Sequence, residues 1–113
     1  MMPLVIVYTS SKEKTNAIKE ILPQLRNFIA KELTCEERII QPEEVSLQVL
    51  VSSTQLSIAS IEVTIIAHSY PERIKKQDEI CLAVKNFILS KNSSLGPVFV
   101  WIQLSELGHS LQE

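Results

Sequence analysis

Charge of one sign is what this sequence lacks first. Eleven Lys and Arg stand against thirteen Asp and Glu, a net charge of −2. A protein that grips nucleic acid by its phosphates carries a basic excess, so that class is set aside. Aromatic residues are few, one Trp, two Tyr and three Phe, and they do not alternate with Lys or Arg, which leaves no platform for stacked bases. No apolar run approaches the roughly 18 residues that a membrane-spanning helix needs. No basic segment followed by an apolar core precedes the first strand, so no secretory signal is expected and the expected compartment is the cytoplasm. The two cysteines, Cys35 and Cys81, lack CxxC spacing, and two histidines add too little for a metal site. Cys81 falls on an apolar helical face and reads as a small core residue. Neither a metal nor any other cofactor is expected.

What is present is 113 residues, 45% hydrophobic and 21% charged, enough for one globular domain over residues 1–113. The chain is organised around its start. Leu4-Val5-Ile6-Val7-Tyr8 is apolar throughout and rich in β-branched side chains, which predicts a strand buried on both faces. Pro3 stands at its mouth. A proline there begins a strand with no N–H to give to the ladder. It also has a chemical reading: exposed by methionine removal, Pro3 offers a secondary amine, a base at the edge of a sheet.

After Tyr8, Ser10 and Glu13 have the spacing of a capping box. Ile18, Ile21, Leu22, Leu25, Phe28, Ile29 and Leu33 follow at helical spacing, and Pro23 predicts a bent or two-piece helix over residues 12–33. Residues 35–44 read as a polar loop. Residues 45–51 form the second predicted strand, 52–60 a serine-rich link, and 61–67 a third strand with alternating faces. The opening pattern then returns. Ser69 and Glu72 make a second candidate capping box, with Pro71 suited to a first helical turn, and apolar residues at helical spacing run to Ser90. A turn-rich loop with Gly96-Pro97 leads to a fourth strand, Val98-Phe99-Val100-Trp101-Ile102, apolar on both faces, and to a short polar tail.

Strand, helix, strand therefore occurs twice. Two helices cover one face of a four-stranded sheet and leave the other open. At about 4.8 Å between strands and about 20 Å of length, that open face is on the order of 400 Å². A monomer seldom shows a larger apolar patch, so further copies of the chain are expected to cover it.

On three pieces the chain resembles the tautomerase superfamily. They are Pro3-Leu4-Val5-Ile6-Val7-Tyr8, then Ile61-Glu62-Val63-Thr64-Ile65-Ile66 followed by a capped helix, and the ending from Ile102 through Ser105 to Leu111. Within the superfamily it is most similar to the 5-carboxymethyl-2-hydroxymuconate isomerase branch. The resemblance implies two consecutive βαβ units, α/β (α+β), forming a four-stranded mixed sheet with two helices on one face. It also implies a homotrimer, and a cofactor-independent isomerase whose free N-terminal proline is the base. An apolar pocket and nearby cations lower the pKa of such an amine. It can then take a proton from a 2-hydroxymuconate or similar enol and return it elsewhere. Arginines bind the carboxylates of such substrates through their planar fork.

Carried onto this sequence, the resemblance makes Pro3 the catalytic residue. The positions matching the family's arginines lie near Ser46 and Gln48 and near Ser69-Tyr70, and none is basic. The nearest cations are Arg38 and Arg73. The expected site for a small carboxylate is thus Pro3 with Arg38, Arg73, Tyr70 and Gln48. Read without the resemblance, Arg38 and Arg73 are solvated surface charges, His68 is a hydrogen-bonding residue at a strand end, and Trp101 and Tyr8 are sheet residues. Both Met1 and Met2 precede Pro3. Translation from Met2 would free Pro3 after methionine removal; translation from Met1 would leave it in a peptide bond. Two other readings stay open: an inactive tautomerase-fold protein that binds a ligand or partner, and a ferredoxin-like βαββαβ domain, whose sheet is antiparallel.

Overall fold

The computed structural model describes residues 3–51 and 60–105. The element order is β1 (Leu4–Thr9), α1 (Lys12–Lys19), α2 (Leu22–Leu33), β2 (Ser46–Val51), β3 (Ile61–His68), α3 (Pro71–Lys75), α4 (Gln77–Lys91) and β4 (Val98–Ser105), with short 3-10 turns at Pro42–Glu44 and Ser93–Leu95. The sheet order is β2-β1-β3-β4. The β1–β2 and β3–β4 pairs are parallel and the β1–β3 pair is antiparallel. This mixed sheet excludes the ferredoxin-like alternative.

Helices α1, α2 and α4 pack on one face. Val5, Val7, Ile61, Val63, Ile65 and Ala67 are fully buried and share a core with Ile18, Leu25 and Ile29 from the first half and Ile80, Val84 and Ile88 from the second. Phe28 of α2 stacks on Phe87 of α4 at 4.4 Å between ring centroids. Pro23 sits in the first turn of α2, where its missing N–H costs nothing, and the helix breaks ahead of it as the sequence predicts. The second helix is also in two pieces, broken at Lys76, which no proline or glycine announces.

Both predicted caps move one residue along, for one reason. Ser10 N–H donates to Ser60 O and Ser69 N–H donates to Ser105 O, so each serine still belongs to the sheet. The cap falls on the next residue: Ser11 accepts from Lys14 N, and Tyr70 precedes Pro71 with no side-chain cap bond. The expectation that β1 is buried on both faces is corrected within a single chain. Leu4 and Ile6 are only half-buried and Tyr8 is exposed, because their face has no helix above it. Register gathers Gln48, Ile6, Thr64 and Trp101 into one row of that open face, and Leu50, Tyr8, Glu62 and Phe99 into the next. Trp101 Nε1–H donates to Glu62 at 2.9 Å across it. The serine-rich link at 52–59 and the tail from 106 lie outside the described residues.

Candidate active site

One end of the sheet collects most of the residues that the sequence singles out. Pro3 is buried just ahead of β1, and its carbonyl accepts from Ser46 N–H at 3.0 Å, which starts the β1–β2 ladder. Continuing the β1–β3 register one step past Leu4 and Ile66 sets Pro3 level with Ala67. There β3 ends at His68, and Tyr70 and Pro71 turn the chain into α3. The end of α2 meets the same place. Beyond it, Cys35 and Arg38 exchange both backbone bonds, at 3.0 and 3.1 Å, in a tight turn.

Arg73 joins these pieces. The sequence reading of a solvated charge is corrected here, because Arg73 is only 2% exposed. Its Nε donates to Leu33 O at 2.8 Å, and its Nη1 donates to His68 O at 2.9 Å. One guanidinium thus ties the last residue of α2 to the last residue of β3. The guanidinium carbon lies 4.8 Å from the Tyr70 ring centroid, and Tyr70 meets His68 edge-on at 4.7 Å. Among the described residues, Nη2 is buried and has no hydrogen-bond partner. Among the described residues, no carboxylate pairs with Arg73; the ion pairs are Arg38–Glu44 and Lys76–Glu72. Burial pushes the Arg73 pKa down, Cys35 and Tyr70 oppose that, and Arg38 adds to it. A buried cation with an unsatisfied donor is costly unless an anion or acceptor meets it.

Arg38 is differently placed. Its Nη2 pairs with Glu44 and its Nη1 donates to Ile39 O at 2.7 Å, so it braces its own loop. The Glu44 carboxyl is held below its ordinary range, first by the Gln41 amide and then by Arg38. Gln48 stands on the open face of the edge strand β2, beside Ile6, and does not join the Arg73 cluster within one chain. The structure therefore brings Tyr70 and Arg73 together, adds His68 and Cys35, and sets Pro3 at the same end of the sheet. Sequence reasoning passed over Cys35 because nothing in a polar loop marks it as lying under a helix forty residues away.

A groove of about 530 Å³ opens beside α3, and Arg73 is not among its lining residues. Pro71 and Ile74 supply its apolar lining, and Glu36, Glu37, Glu72 and Lys75 its charges. Glu72 accepts from Glu36 N–H at 3.0 Å, linking α3 to the Cys35–Arg38 turn. That bond, and then Lys76, holds the Glu72 carboxyl below its ordinary range. Among the described residues no three His, Cys, Asp or Glu side chains are grouped to hold a metal ion, and no helix is long and apolar enough to cross a membrane.

No family model matches the chain, and no curated protein matches it in sequence. Solved structures do match in fold. A macrophage migration inhibitory factor-like protein from Entamoeba histolytica superposes with a TM-score of 0.60 at 16% identity, over 94% of this chain and 89% of that one. A malonate semialdehyde decarboxylase gives 0.61 at 10% identity, over 91% of this chain and 84% of that one. A 5-carboxymethyl-2-hydroxymuconate isomerase from Deinococcus radiodurans gives 0.60 at 14% identity, over 99% of this chain and 87% of that one. All three are tautomerase-superfamily proteins. With its paired βαβ units, parallel outer pairs and antiparallel centre, this chain has the tautomerase fold.

Proposed function

We propose that this chain is a cofactor-independent, tautomerase-like isomerase acting on a small unsaturated 2-hydroxy or 2-oxo carboxylic acid. The observation that carries the reading is the buried, unpartnered Nη2 of Arg73 at the sheet end where Pro3 begins β1. Nη2 would take the substrate carboxylate. Pro3, as a free N-terminal amine, would take the enol hydroxyl proton. The O–H electron pair becomes the new C=O, the C=C pair moves to carbon, and the prolinium returns its proton there. Pro3 is buried, and burial would disfavour the protonated form of a free amine there, which suits it to act as a base near neutral pH. Tyr70 packs against Arg73 and would shape the pocket, while Arg38 and Gln48 would contribute only by rearrangement or across a subunit boundary.

The working unit in this reading is a cytoplasmic homotrimer whose subunits cover the open sheet faces. Leu50, Tyr8 and Trp101, exposed there in one chain, support it. Each large side chain so buried contributes roughly 1.5–3 kcal/mol. Sedimentation in dilute solution should give a mass of three chains; a stable single chain contradicts the assembly. The catalytic test has two parts. Mass spectrometry establishes whether Pro3 is the first residue of the natural protein, and an enol-to-keto assay with phenylenolpyruvate follows. Turnover by the Pro3-initiated protein, lost when Pro3 is blocked by a preceding methionine, is the expected result. No turnover by verified Pro3-initiated protein leaves the second reading, a ligand-binding protein of the same fold. The engagement of Arg38 by Glu44 favours that second reading, since it removes one of the two expected carboxylate partners.

A further inference from the structure

We propose that the groove beside α3 docks a basic, amphipathic peptide segment of a partner protein. The segment lays an apolar side chain on Pro71 and Ile74 and sets Lys or Arg against Glu36 and Glu37. This goes beyond the catalytic reading and does not depend on it, because neither Pro3 nor Arg73 lines the groove.

The apolar floor is a consequence of how α3 is held. Its five residues bury their arginine and show their isoleucine: Arg73 is 2% exposed and Ile74 is 49% exposed. Arg73 is fixed inward by the carbonyls of Leu33 and His68. Successive helical residues point about 100° apart, so the same two bonds turn Ile74 outward beside Pro71. The opposite wall is tied in place, since Glu72 accepts from Glu36 N–H at 3.0 Å. The groove is therefore formed before any partner arrives.

Its charge selects the partner. Glu36, Glu37 and Glu72 line it against one cation, Lys75. Among the described residues, Glu36 and Glu37 have no ion pair; the pairs are Arg38–Glu44 and Lys76–Glu72. The sequence beside them deepens the imbalance. Residues 32–44 hold Glu32, Glu36, Glu37, Glu43 and Glu44 with Arg38 as their one cation, and Glu44 engages it. Such a field attracts a basic segment and repels an acidic one. An apolar anchor flanked by complementary charge is how an amphipathic segment is held in a groove. A small molecule is a poorer match, because pockets for small ligands bury most of the ligand, whereas all the lining residues here but Glu72 are exposed.

Amide NMR of the full-length protein, titrated with the peptide LKKLLKKL and with its acidic counterpart LEELLEEL, tests this. The expected result is a saturable shift at Glu36, Glu37, Ile74 and Lys75 with the basic peptide, at least about tenfold tighter than any response to the acidic one. Glu36→Gln with Glu37→Gln should weaken the basic peptide about fivefold. Ile74→Ser, at an exposed position, should weaken it about tenfold. Equal binding of the two peptides overturns the proposal, as do shifts centred on Trp101 and the open sheet face. Loss on removing the glutamates but none with Ile74→Ser means plain attraction of a polycation and also overturns it. Binding of 4-phenylbutylamine as tightly as the peptide would make this a small organic cation's site and overturn the peptide assignment. Enol-to-keto turnover bears on none of these outcomes, so the catalytic reading stands or falls separately.

Discussion

The two halves of the molecule use the same brace and make different things of it. In the first half, Lys14 is the third residue after the cap of α1, and its Nζ donates at 2.5 Å to Ser94 O, just beyond the end of α4. In the second half, Arg73 is the third residue after the cap of α3, and its Nε donates at 2.8 Å to Leu33 O, the last residue of α2. Each short helix thus sends a cation to the far end of the other half's long helix. The Lys14 bond is solvent-exposed, whereas Arg73 is buried, stacked on Tyr70 and left with a surplus donor. An ammonium is compact and strongly hydrated, while a guanidinium is planar and more weakly hydrated, and so tolerates burial better. The same architectural position is a surface strut in one half and a buried cation at the Pro3 end of the sheet in the other.

The comparison is broken most directly by deleting both braces. Arg73→Ala removes two charge-assisted bonds and should cost about 3 kcal/mol in chemical denaturation, with Arg73→Lys intermediate. Lys14→Ala should cost no more than about 0.5 kcal/mol. Equal losses would mean that burial makes no difference to the brace. A smaller effect sharpens the contrast by giving the Arg73 end a second free cation. Glu44→Gln releases Arg38 from its ion pair, and adipate binding measured by calorimetry should strengthen by roughly threefold while 3-phenylpropanoate is unchanged.

The smallest effect is in acid. Glu72 ties α3 to the Glu36 amide, and its carboxyl lies below the ordinary 4.5, first because of that amide and then because of Lys76. A depressed folded-state pKa means that the tie contributes stability above pH 4.5 and loses it as pH falls through the folded value. Glu72 is only half-buried, so the global effect is slight. The Glu36 amide resonance should nonetheless move with a midpoint below 4.5, the Ser94 and Lys14 resonances should not, and Glu72→Gln should abolish the transition. A shared transition at both ends would contradict the asymmetry.

Much of the fold was legible because it is written in local patterns. The four apolar runs gave the four strands, and Pro23 gave the break between α1 and α2. The caps came out one residue early because Ser10 and Ser69 are claimed by sheet bonds to Ser60 and Ser105, residues far along the chain. The break at Lys76 has no proline or glycine to announce it. The four-stranded mixed sheet that the family resemblance implies is the one observed, while burial of β1 on both faces is not, since one chain has helices on one side only. The site was legible by residue but not by role. Pro3, Tyr70 and Arg73 were singled out, yet arginine in a first helical turn ordinarily faces solvent. Its partners are the Leu33 and His68 carbonyls, the first of them forty residues away and carrying no mark in the sequence.

The account turns on Arg73 Nη2 as the donor that receives a carboxylate. Nitrogen-15 NMR of the arginine side chains during titration with 3-phenylpropanoate reads that donor directly. The account predicts a saturable shift of the Arg73 guanidinium resonances, with those of Arg26 and Arg38 left in place. A shift at Arg38 with Arg73 unmoved, or no shift at any arginine, would contradict it.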